Sequence, residues 1–108
     1  MEIENIVKSQ KAFFKTGATL PLAFRYAALK KLHEKMQELL PEILQALRDD
    51  LGKSDFEGYL TEVGLAFDEL HYMEKHLRKL ARTRRVKSSL GNFRSRSYIK
   101  PSPFGTVL

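Results

Sequence analysis

The sequence contains no cysteine among its 108 residues. This absence excludes a disulfide framework, a thiolate metal site and a cysteine nucleophile within these residues. Long apolar runs are also missing, because none approaches the roughly 18 residues that a membrane span requires. The opening residues MEIENIVKSQ lack the basic-then-apolar layout of a secretory signal. We therefore predict a cytoplasmic protein without a membrane-spanning helix.

Acidic residues are missing from the last third of the chain. Residues 75–108 hold ten Lys/Arg and no Asp/Glu, whereas residues 1–74 hold nine Lys/Arg and thirteen Asp/Glu, so the net charge of +6 hides a split of +10 and −4. Clustered cations gain affinity for phosphates by displacing counterions, or they form half of an internal contact with an acidic surface. The remaining composition, 43% hydrophobic and 30% charged, is typical of one folded domain.

The first half of the chain has the apolar periodicity of helices. Steps of three and four residues predict a short helix that ends near Gly17, with a stripe formed by Ile3, Ile6, Val7, Gln10, Phe13 and Phe14. A second stripe opens at Pro21 and runs to Leu51, where Gly52 is the expected left-handed stop. Because Pro41 inside this stripe removes a backbone hydrogen bond, we expect one helix kinked at Pro41, or two nearly collinear helices, over residues 21–51.

A third helix is expected to begin at Ser54. In Ser54-Asp55-Phe56-Glu57 the serine and glutamate side chains can satisfy each other's free backbone N–H groups, which is a capping box. The apolar face that follows is expected to be buried and comprises Phe56, Leu60, Val63, Phe67, Leu70 and Leu77. The helical period stops after Arg85. The predicted fold class is therefore mainly α, with three amphipathic helices followed by a short extended or β segment.

The last 21 residues have the features of a loop and short strands. Residues 88–92 are rich in turn-forming types, and two extended segments follow at 97–99 and 104–108, separated by two prolines. The second segment ends on apolar, β-forming residues. Natural domains seldom end on such residues, because an unpaired strand edge associates with other chains. We therefore expect the polypeptide to begin at Met1 and to continue beyond Leu108.

One short motif suggests phosphate binding. Gly52-Lys53-Ser54 matches the end of a P-loop. A P-loop also needs a glycine five residues before Gly52, but that residue is Leu47, and it follows a strand, whereas here a helix is predicted before it. A helix stop followed by a helix cap accounts for all three residues. We therefore favour the structural interpretation.

The histidines and carboxylates do not form an evident reactive group. His71 and His76 are five residues apart, which places them on different sides of a helix, and His33 is distant in sequence. His71 and Glu74 could share a face, but two ligands are too few for a closed metal site. We interpret the three histidines as surface residues, Glu57 as part of the cap and Glu62 as part of a solvated face.

The basic stretch from Arg78 to Arg96, with Phe93 and Tyr98 interleaved, could bind nucleic acid. Aromatic side chains among cations can stack on bases while the cations contact phosphates. No recognition helix, zinc finger or RNA-binding signature accompanies the stretch. The alternative is a helix end and a crossing loop that contact the rest of a larger protein.

Three separated stretches give the sequence a family likeness: TGATLPLAFRYAALKKL, QALRDDLGKSDFEGYLTEVGL and RVKSSLGNFRSRSYIKPSPFGTVL. In this order and spacing they resemble the opening of class 3 (fatty aldehyde type) aldehyde dehydrogenases, over nearly all of residues 6–108. A tryptophan that the family often has near Leu80 and Ala81 is absent, as is a proline common near Arg94. These departures leave the subfamily and the preferred aldehyde open.

The resemblance implies a larger α/β enzyme. Residues 1–87 would form a helical segment that packs on its cofactor-binding domain, and residues 88–108 would lead into an oligomerisation element and that domain. In family members a downstream cysteine attacks the aldehyde, hydride passes to NAD or NADP, and a glutamate activates water to release the acid. All those residues lie outside this chain. The resemblance therefore assigns no catalytic, cofactor-binding or metal-binding residue to positions 1–108.

Two hypotheses follow. In the first, the chain is the N-terminal structural piece of an NAD(P)-dependent aldehyde dehydrogenase; it is inactive and binds no cofactor by itself, and its partners are the remainder of its own polypeptide and a second copy. In the second, it is a small helical binding module whose basic C-terminal tail binds nucleic acid or an acidic partner.

Overall fold

The computed structural model describes residues 2–107, so the expectations for Met1 and Leu108 lie outside the described residues. The described chain is mainly helical, as the sequence predicts, and a small two-stranded β-ribbon follows the helices. Its elements are α1 (Ile3–Lys15), α2 (Leu22–Glu38), α3 (Leu40–Leu51), α4 (Asp55–Gly58), a π-helical segment (Tyr59–Val63), α5 (Gly64–Ala81), β1 (Arg84–Val86), a 3-10 turn (Leu90–Asn92) and β2 (Ser97–Ile99). α4, the π-helical segment and α5 run on without a break and form one long helix, so the described residues contain four helices where three were predicted.

The extra helix comes from a break in the predicted second helix. α2 ends at Glu38, and Leu39 has φ −90° and ψ 7°, outside the α-helical region. α3 then begins at Leu40 with Pro41 in its first turn, where the missing proline N–H has no intrahelical partner to lose. The chain therefore breaks two residues before the proline and is not one helix kinked at Pro41.

The corner between α3 and the long helix follows the predicted signals. Gly52 has φ 66° and ends α3 in the left-handed conformation, with its N–H donating to the Arg48 carbonyl. The Ser54 hydroxyl accepts the Glu57 backbone N–H at 3.2 Å, which is the serine half of the predicted capping box. Arg48 and Asp55 form an ion pair across the corner.

The π-helical segment changes which residues of the long helix are buried. Gly58, Val63, Leu70 and Leu77 are buried, and the step from Gly58 to Val63 is five residues, the spacing of a π-helical hydrogen bond. Residues before this step therefore point in a different direction around the helix axis than they would in a continuous α-helix. Phe56 and Leu60 are consequently 76% and 59% exposed, and their predicted burial is wrong.

The core of the described chain is small. α2 packs on α5, and Gly58 lies so close to α3 that a Cβ added to it would be 3.4 Å from the Leu44 and Leu47 side chains. Among residues 2–107 only Val63, Leu70 and Leu77 are buried hydrophobic side chains. The radius of gyration is 19.7 Å, whereas a compact domain of about 100 residues has roughly 13 Å. The chain is thus extended, with principal dimensions of 62 × 35 × 24 Å.

The helical region ends earlier than predicted. The long helix ends at Ala81, because Arg82 is already extended with ψ 140°, and not at Arg85. Residues 84–86 form β1, which pairs antiparallel with the predicted strand Ser97–Ile99 in the register Arg84↔Ile99, Arg85↔Tyr98 and Val86↔Ser97. A strand forms only where a second strand can share its backbone hydrogen bonds. The periodicity of the sequence did not indicate that residues 84–86 would pair with Ser97–Ile99. Residues 100–107 contain no strand, so the extended segment predicted at 104–108 is not part of a sheet over its described residues.

Candidate interface

A long groove of about 1270 Å³ lies between α1, α2, α5 and the segment 100–107. Its walls are mainly apolar and include Phe13, Phe14, Leu20, Leu22, Phe24, Leu29, Met73, Leu77, Leu80, Ala81, Pro101, Pro103 and Val107. The groove exists because α1 and the last residues of the chain both flank the α2–α5 pair. It is a concave, apolar surface of the kind that another polypeptide segment covers.

Two aromatic rings show how open the groove is. Phe13 of α1 and Phe24 of α2 lie with ring centroids 6.2 Å apart and planes tilted by 48°. Their side chains remain 50% and 42% exposed. Fully burying such a ring stabilises a protein by about 1.5–3 kcal/mol. Much of this stabilisation is not realised within the described residues.

Gln10 provides a polar feature of the same groove. Its side-chain oxygen Oε1 is buried and has no hydrogen-bond partner among the described residues. An unsatisfied buried acceptor costs about 1–3 kcal/mol. Gln10 is thus a polar residue in a mainly apolar lining, with its side-chain oxygen buried and unpaired.

Exposed apolar side chains extend well beyond the groove. Large hydrophobic residues that are more than half exposed outside it include Ile3, Phe56, Leu60, Leu65, Leu90, Phe93 and Phe104. Scattered exposed residues of this type are ordinary, but many on one small chain form an association surface. Their exposure agrees with the small size of the core.

The Gly52-Lys53-Ser54 motif serves a structural purpose. Lys53 Nζ lies 2.7 Å from Glu62 Oε1 and 3.1 Å from Thr61 Oγ1, so it ties the corner to the π-helical segment. Ser54 is used as the helix cap. The motif is therefore not arranged as a phosphate cradle, and Glu62 is paired instead of merely solvated as predicted.

The histidines lie at helix contacts. His33 of α2 stacks on Phe67 at 5.2 Å between ring centroids, and its Nδ1 is 3.4 Å from Glu74 Oε1 of α5. His76 stacks on Tyr72 and its Nδ1 is 2.9 Å from the Tyr72 carbonyl oxygen. His33 and His76 are half-buried, so of the three predicted surface histidines only His71 is exposed.

Glu74 pairs with His33 and not with its predicted neighbour His71. A second concavity, of about 540 Å³, lies beside this pair and is lined by Tyr26, Lys30, Glu34 and Gln37. In the described part of the chain, no group of three or more His, Cys, Asp or Glu side chains is placed to hold a metal ion. The pair therefore joins α2 to α5.

The basic stretch is divided between the end of α5, which carries Arg78 and Lys79, and the ribbon with its loop. The Ser88 hydroxyl donates to the Ser95 carbonyl at 3.0 Å and lies 2.9 Å from the Ser97 hydroxyl, which holds the loop base together. The Arg94 guanidinium carbon is 5.6 Å from the Phe93 ring centroid. Arg94 also has φ 68°, a conformation that proline cannot adopt. The ribbon and its loop thus bring together Phe93, Tyr98 and the later cations of the stretch, from Arg84 to Arg96.

The P-loop-like motif is not free to hold the phosphates of a dinucleotide cofactor. The one glycine-containing motif that could hold a phosphate uses its lysine and serine within the fold. The sequence also has no cysteine to act as a nucleophile. The absence of a catalytic residue from these positions therefore stays a prediction.

The groove is the feature that sequence reasoning missed. The apolar stripes of α1 and α2 were recognised, but the contribution of residues 100–107 to the same groove depends on tertiary structure. The five-residue step from Gly58 to Val63 is a local signal that could have identified the rotated face.

The helices are too short or too polar to cross a membrane. This holds for every helix in the described residues.

Comparison with known proteins gives the family. The model of the aldehyde dehydrogenase family matches residues 1–108. Among curated proteins, the chain is 40% identical over 106 residues to 4,4'-diaponeurosporen-aldehyde dehydrogenase of Staphylococcus aureus, covering 98% of this chain and 23% of that protein. It is 34% identical over 106 residues to aldehyde dehydrogenase family 3 member A2 of rat (Rattus norvegicus), covering 98% of this chain and 22% of that protein.

A solved structure shares the fold. The substrate-bound state of Staphylococcus aureus AldH superposes with a TM-score of 0.87 at 37% identity, over 93% of this chain and 22% of that chain. The chain thus spans less than a quarter of the length of these relatives. Because the family match covers every residue, the chain belongs to the aldehyde dehydrogenase family of oxidoreductases.

Proposed function

We propose that this chain is the N-terminal structural part of a class 3, NAD(P)-dependent aldehyde dehydrogenase that converts aldehydes to carboxylic acids. Similarity to family 3 members over nearly the whole chain supports the class. The proposed division follows the sequence: residues 1–87 cover the cofactor-binding domain, and residues 88–108 lead into the oligomerisation element. The predicted cytoplasmic location stays a prediction.

The observation that carries this proposal is the open apolar groove between α1, α2, α5 and residues 100–107. The exposed rings of Phe13 and Phe24 become buried, which lowers the free energy, when another segment enters the groove. The occupant we propose is the remainder of the same polypeptide. A second copy of the chain competes for the same apolar surface when that remainder is absent.

The chemistry is proposed to come from the remainder of the polypeptide. NAD or NADP would accept the hydride there, and a cysteine outside this chain would attack the aldehyde. The role of the present residues is to cover the cofactor-binding domain, to hold it in position and to exclude water from it. We propose no catalytic or cofactor-binding residue within them.

Expression of the protein as two chains tests the proposal. The present chain and the remainder of the polypeptide, produced together, should copurify and restore aldehyde oxidation that the remainder alone lacks. Leu20→Asp places a charge in the groove and should reduce copurification at least tenfold, because a buried unpaired charge costs several kcal/mol. Leu51→Asp is the matched control, since Leu51 is 60% exposed and Leu20 is 54% exposed but only Leu20 lines the groove.

Two results would oppose the proposal. One is full activity of the remainder without this chain. The other is equal loss of copurification with both leucine variants, because that outcome would show that the groove is not the contact.

The alternative function is a helical module that binds nucleic acid through the basic ribbon. The cluster of Arg and Lys residues on one small element favours it. Titration with DNA at two salt concentrations checks it, because phosphate binding weakens steeply as salt rises.

A further inference from the structure

The apolar groove between α1, α2, α5 and residues 100–107 carries charge of one sign. Its lining contains no Asp or Glu, but it contains four cations: Arg25, Arg78, Arg82 and Lys100. In the described part of the chain, none of these four lies within 4.0 Å of a carboxylate oxygen to form an ion pair. The groove is therefore apolar and basic together, which complements a partner that is apolar and acidic.

Arg25 is the cation most enclosed by the groove. It is half-buried, whereas the other three are exposed. Its Nε donates to the Thr19 carbonyl oxygen at 2.8 Å, which fixes the base of the guanidinium group. The two terminal nitrogens carry four more N–H donors, for which the described residues offer no side-chain or carbonyl acceptor. Any segment that covers the groove withdraws these donors from water, and this is costly unless the segment brings an acceptor.

Local helix electrostatics does not account for Arg25. It lies close to the start of α2, whose first turn contains no acidic residue. The start of a helix is the positive end of its dipole, so a cation there is disfavoured. Arg78 lies in the last turn of α5, where the dipole favours a cation. Arg25 therefore needs a compensating negative charge from outside its own helix.

We propose that the segment of the remaining polypeptide that covers the groove is acidic as well as apolar, and that one of its carboxylates pairs with the Arg25 guanidinium. Arginine favours such a contact because its terminal nitrogens can make two parallel N–H···O bonds to one carboxylate. The exposed cations at the end of α5 attract the same segment as it approaches. This inference rests on the proposed function, in which the remainder covers the groove, and it adds the chemistry of the covering segment.

The remainder of the polypeptide is favoured over a second copy as the source of this segment. A twofold contact places the same surface on both sides, so two copies joined groove to groove would set these cations against one another. The chain spans less than a quarter of the length of its relatives. In proteins of that length, most of the polypeptide is available to supply an acidic, apolar segment.

Zero-length cross-linking of the complete polypeptide with Arg25→Lys tests the inference. A carbodiimide joins an amine to a carboxylate only where the two are in contact, and peptide mass spectrometry identifies the joined residues. We expect position 25 to be joined to an Asp or Glu outside residues 1–108. The Lys53–Glu62 pair, with 2.7 Å between Nζ and Oε1, is the positive control, and Lys31, which is exposed on α2 outside the groove, is the negative control. Mixing two isotope-labelled preparations separates joins within one polypeptide from joins between copies.

Charge reversal separates the proposed pair from a local role of Arg25. Arg25→Glu introduces the charge that the start of a helix favours, so a purely local role predicts an unchanged or higher thermal unfolding midpoint. The proposed pair predicts a midpoint lower by about 3 °C or more, because two carboxylates then meet in the covered groove. Lys31→Glu makes the same charge change outside the groove and should shift the midpoint by less than about 1 °C. Replacing the carboxylate found by cross-linking with lysine should restore part of the loss in the Arg25→Glu protein.

Three results would overturn the inference. The first is no join from position 25 although the Lys53–Glu62 join forms. The second is a join only to a carboxylate of a second copy. The third is an Arg25→Glu midpoint equal to or above that of Lys31→Glu. The proposed function fails separately, because it requires that Leu20→Asp reduce copurification whatever charge the covering segment carries.

Discussion

Three consecutive residues hold the corner between α3 and the long helix. Gly52 ends α3, Lys53 bonds to Thr61 and Glu62, and Ser54 caps the next helix. A motif that resembles part of a phosphate loop is thus used entirely for the fold. The glycine stop and the serine cap were predictable because they depend on local backbone chemistry. The Lys53–Glu62 contact was not, because it depends on how the π-helical segment turns back toward the corner.

Gly52→Ala should lower the free energy of unfolding by about 1 kcal/mol, because a Cβ is disfavoured at φ 66° even though nothing lies within 4 Å of it. Thermal unfolding followed by circular dichroism measures the change. Gly91→Ala is the control, since the nearest atom to its Cβ would be Ser89 Oγ at 4.0 Å and its φ is not positive. Equal thermal unfolding midpoints for the two variants would show that the left-handed conformation of Gly52 does not matter for stability.

Ser54→Ala should cost about 1 kcal/mol, because the Glu57 N–H loses its acceptor at the start of the long helix. Ser9→Ala, in the middle of α1, removes a hydroxyl that caps no helix and should be neutral or slightly stabilising. Urea unfolding of both variants compares them. A Ser54→Ala protein as stable as the Ser9→Ala protein would show that the cap contributes nothing.

At the level of elements, the π-helical segment decides which face of the long helix is buried. Gly64 donates its N–H to the Tyr59 carbonyl five residues earlier, and Gly58 fills a close contact with α3. The α-helical period therefore placed Val63, Leu70 and Leu77 correctly but failed for Phe56 and Leu60, upstream of the segment. The strand Ser97–Ile99 was predicted because of its β-forming residues, whereas β1 was assigned to helix because its arginines continue the basic end of α5.

Gly64→Ala tests the importance of this segment. The new Cβ would lie 2.8 Å from the Tyr59 carbonyl oxygen, so the π-helical turn must rearrange, and we expect a loss of about 1–3 kcal/mol of stability. Gly58→Ala meets only the side chains of Leu44 and Leu47 at 3.4 Å and gains helix propensity, so it should stay within about 1 kcal/mol of the unchanged chain. Chemical denaturation gives both values, and a Gly64→Ala chain that is the more stable of the two would contradict this role.

On the scale of the whole molecule, the chain has long helices and little interior. Its radius of gyration is 19.7 Å, and only three hydrophobic residues among 2–107 are buried. These values are typical of a layer of helices and not of a closed domain. The amphipathic stripes predicted that such helices need a covering surface. The groove itself could not be predicted, because residues 100–107 complete it only after the long helix and the ribbon have reversed the chain direction.

The isolated chain should neither oxidise an aldehyde nor bind NAD or NADP. It has no cysteine nucleophile, and its one phosphate-like motif is used in the corner. Absorbance at the nicotinamide band measures turnover, and isothermal titration calorimetry measures binding. Measurable turnover by the purified chain would contradict the assignment of all chemistry to residues outside it.

The central claim is that the apolar groove and stripes are built to be covered by other polypeptide. Light scattering of the purified, isolated chain over a range of concentrations tests it most directly. We predict a mass above that of one chain that rises with concentration, because the exposed surfaces pair with one another when the remainder is missing. A cooperatively folded chain that stays strictly monomeric at every concentration would contradict the claim.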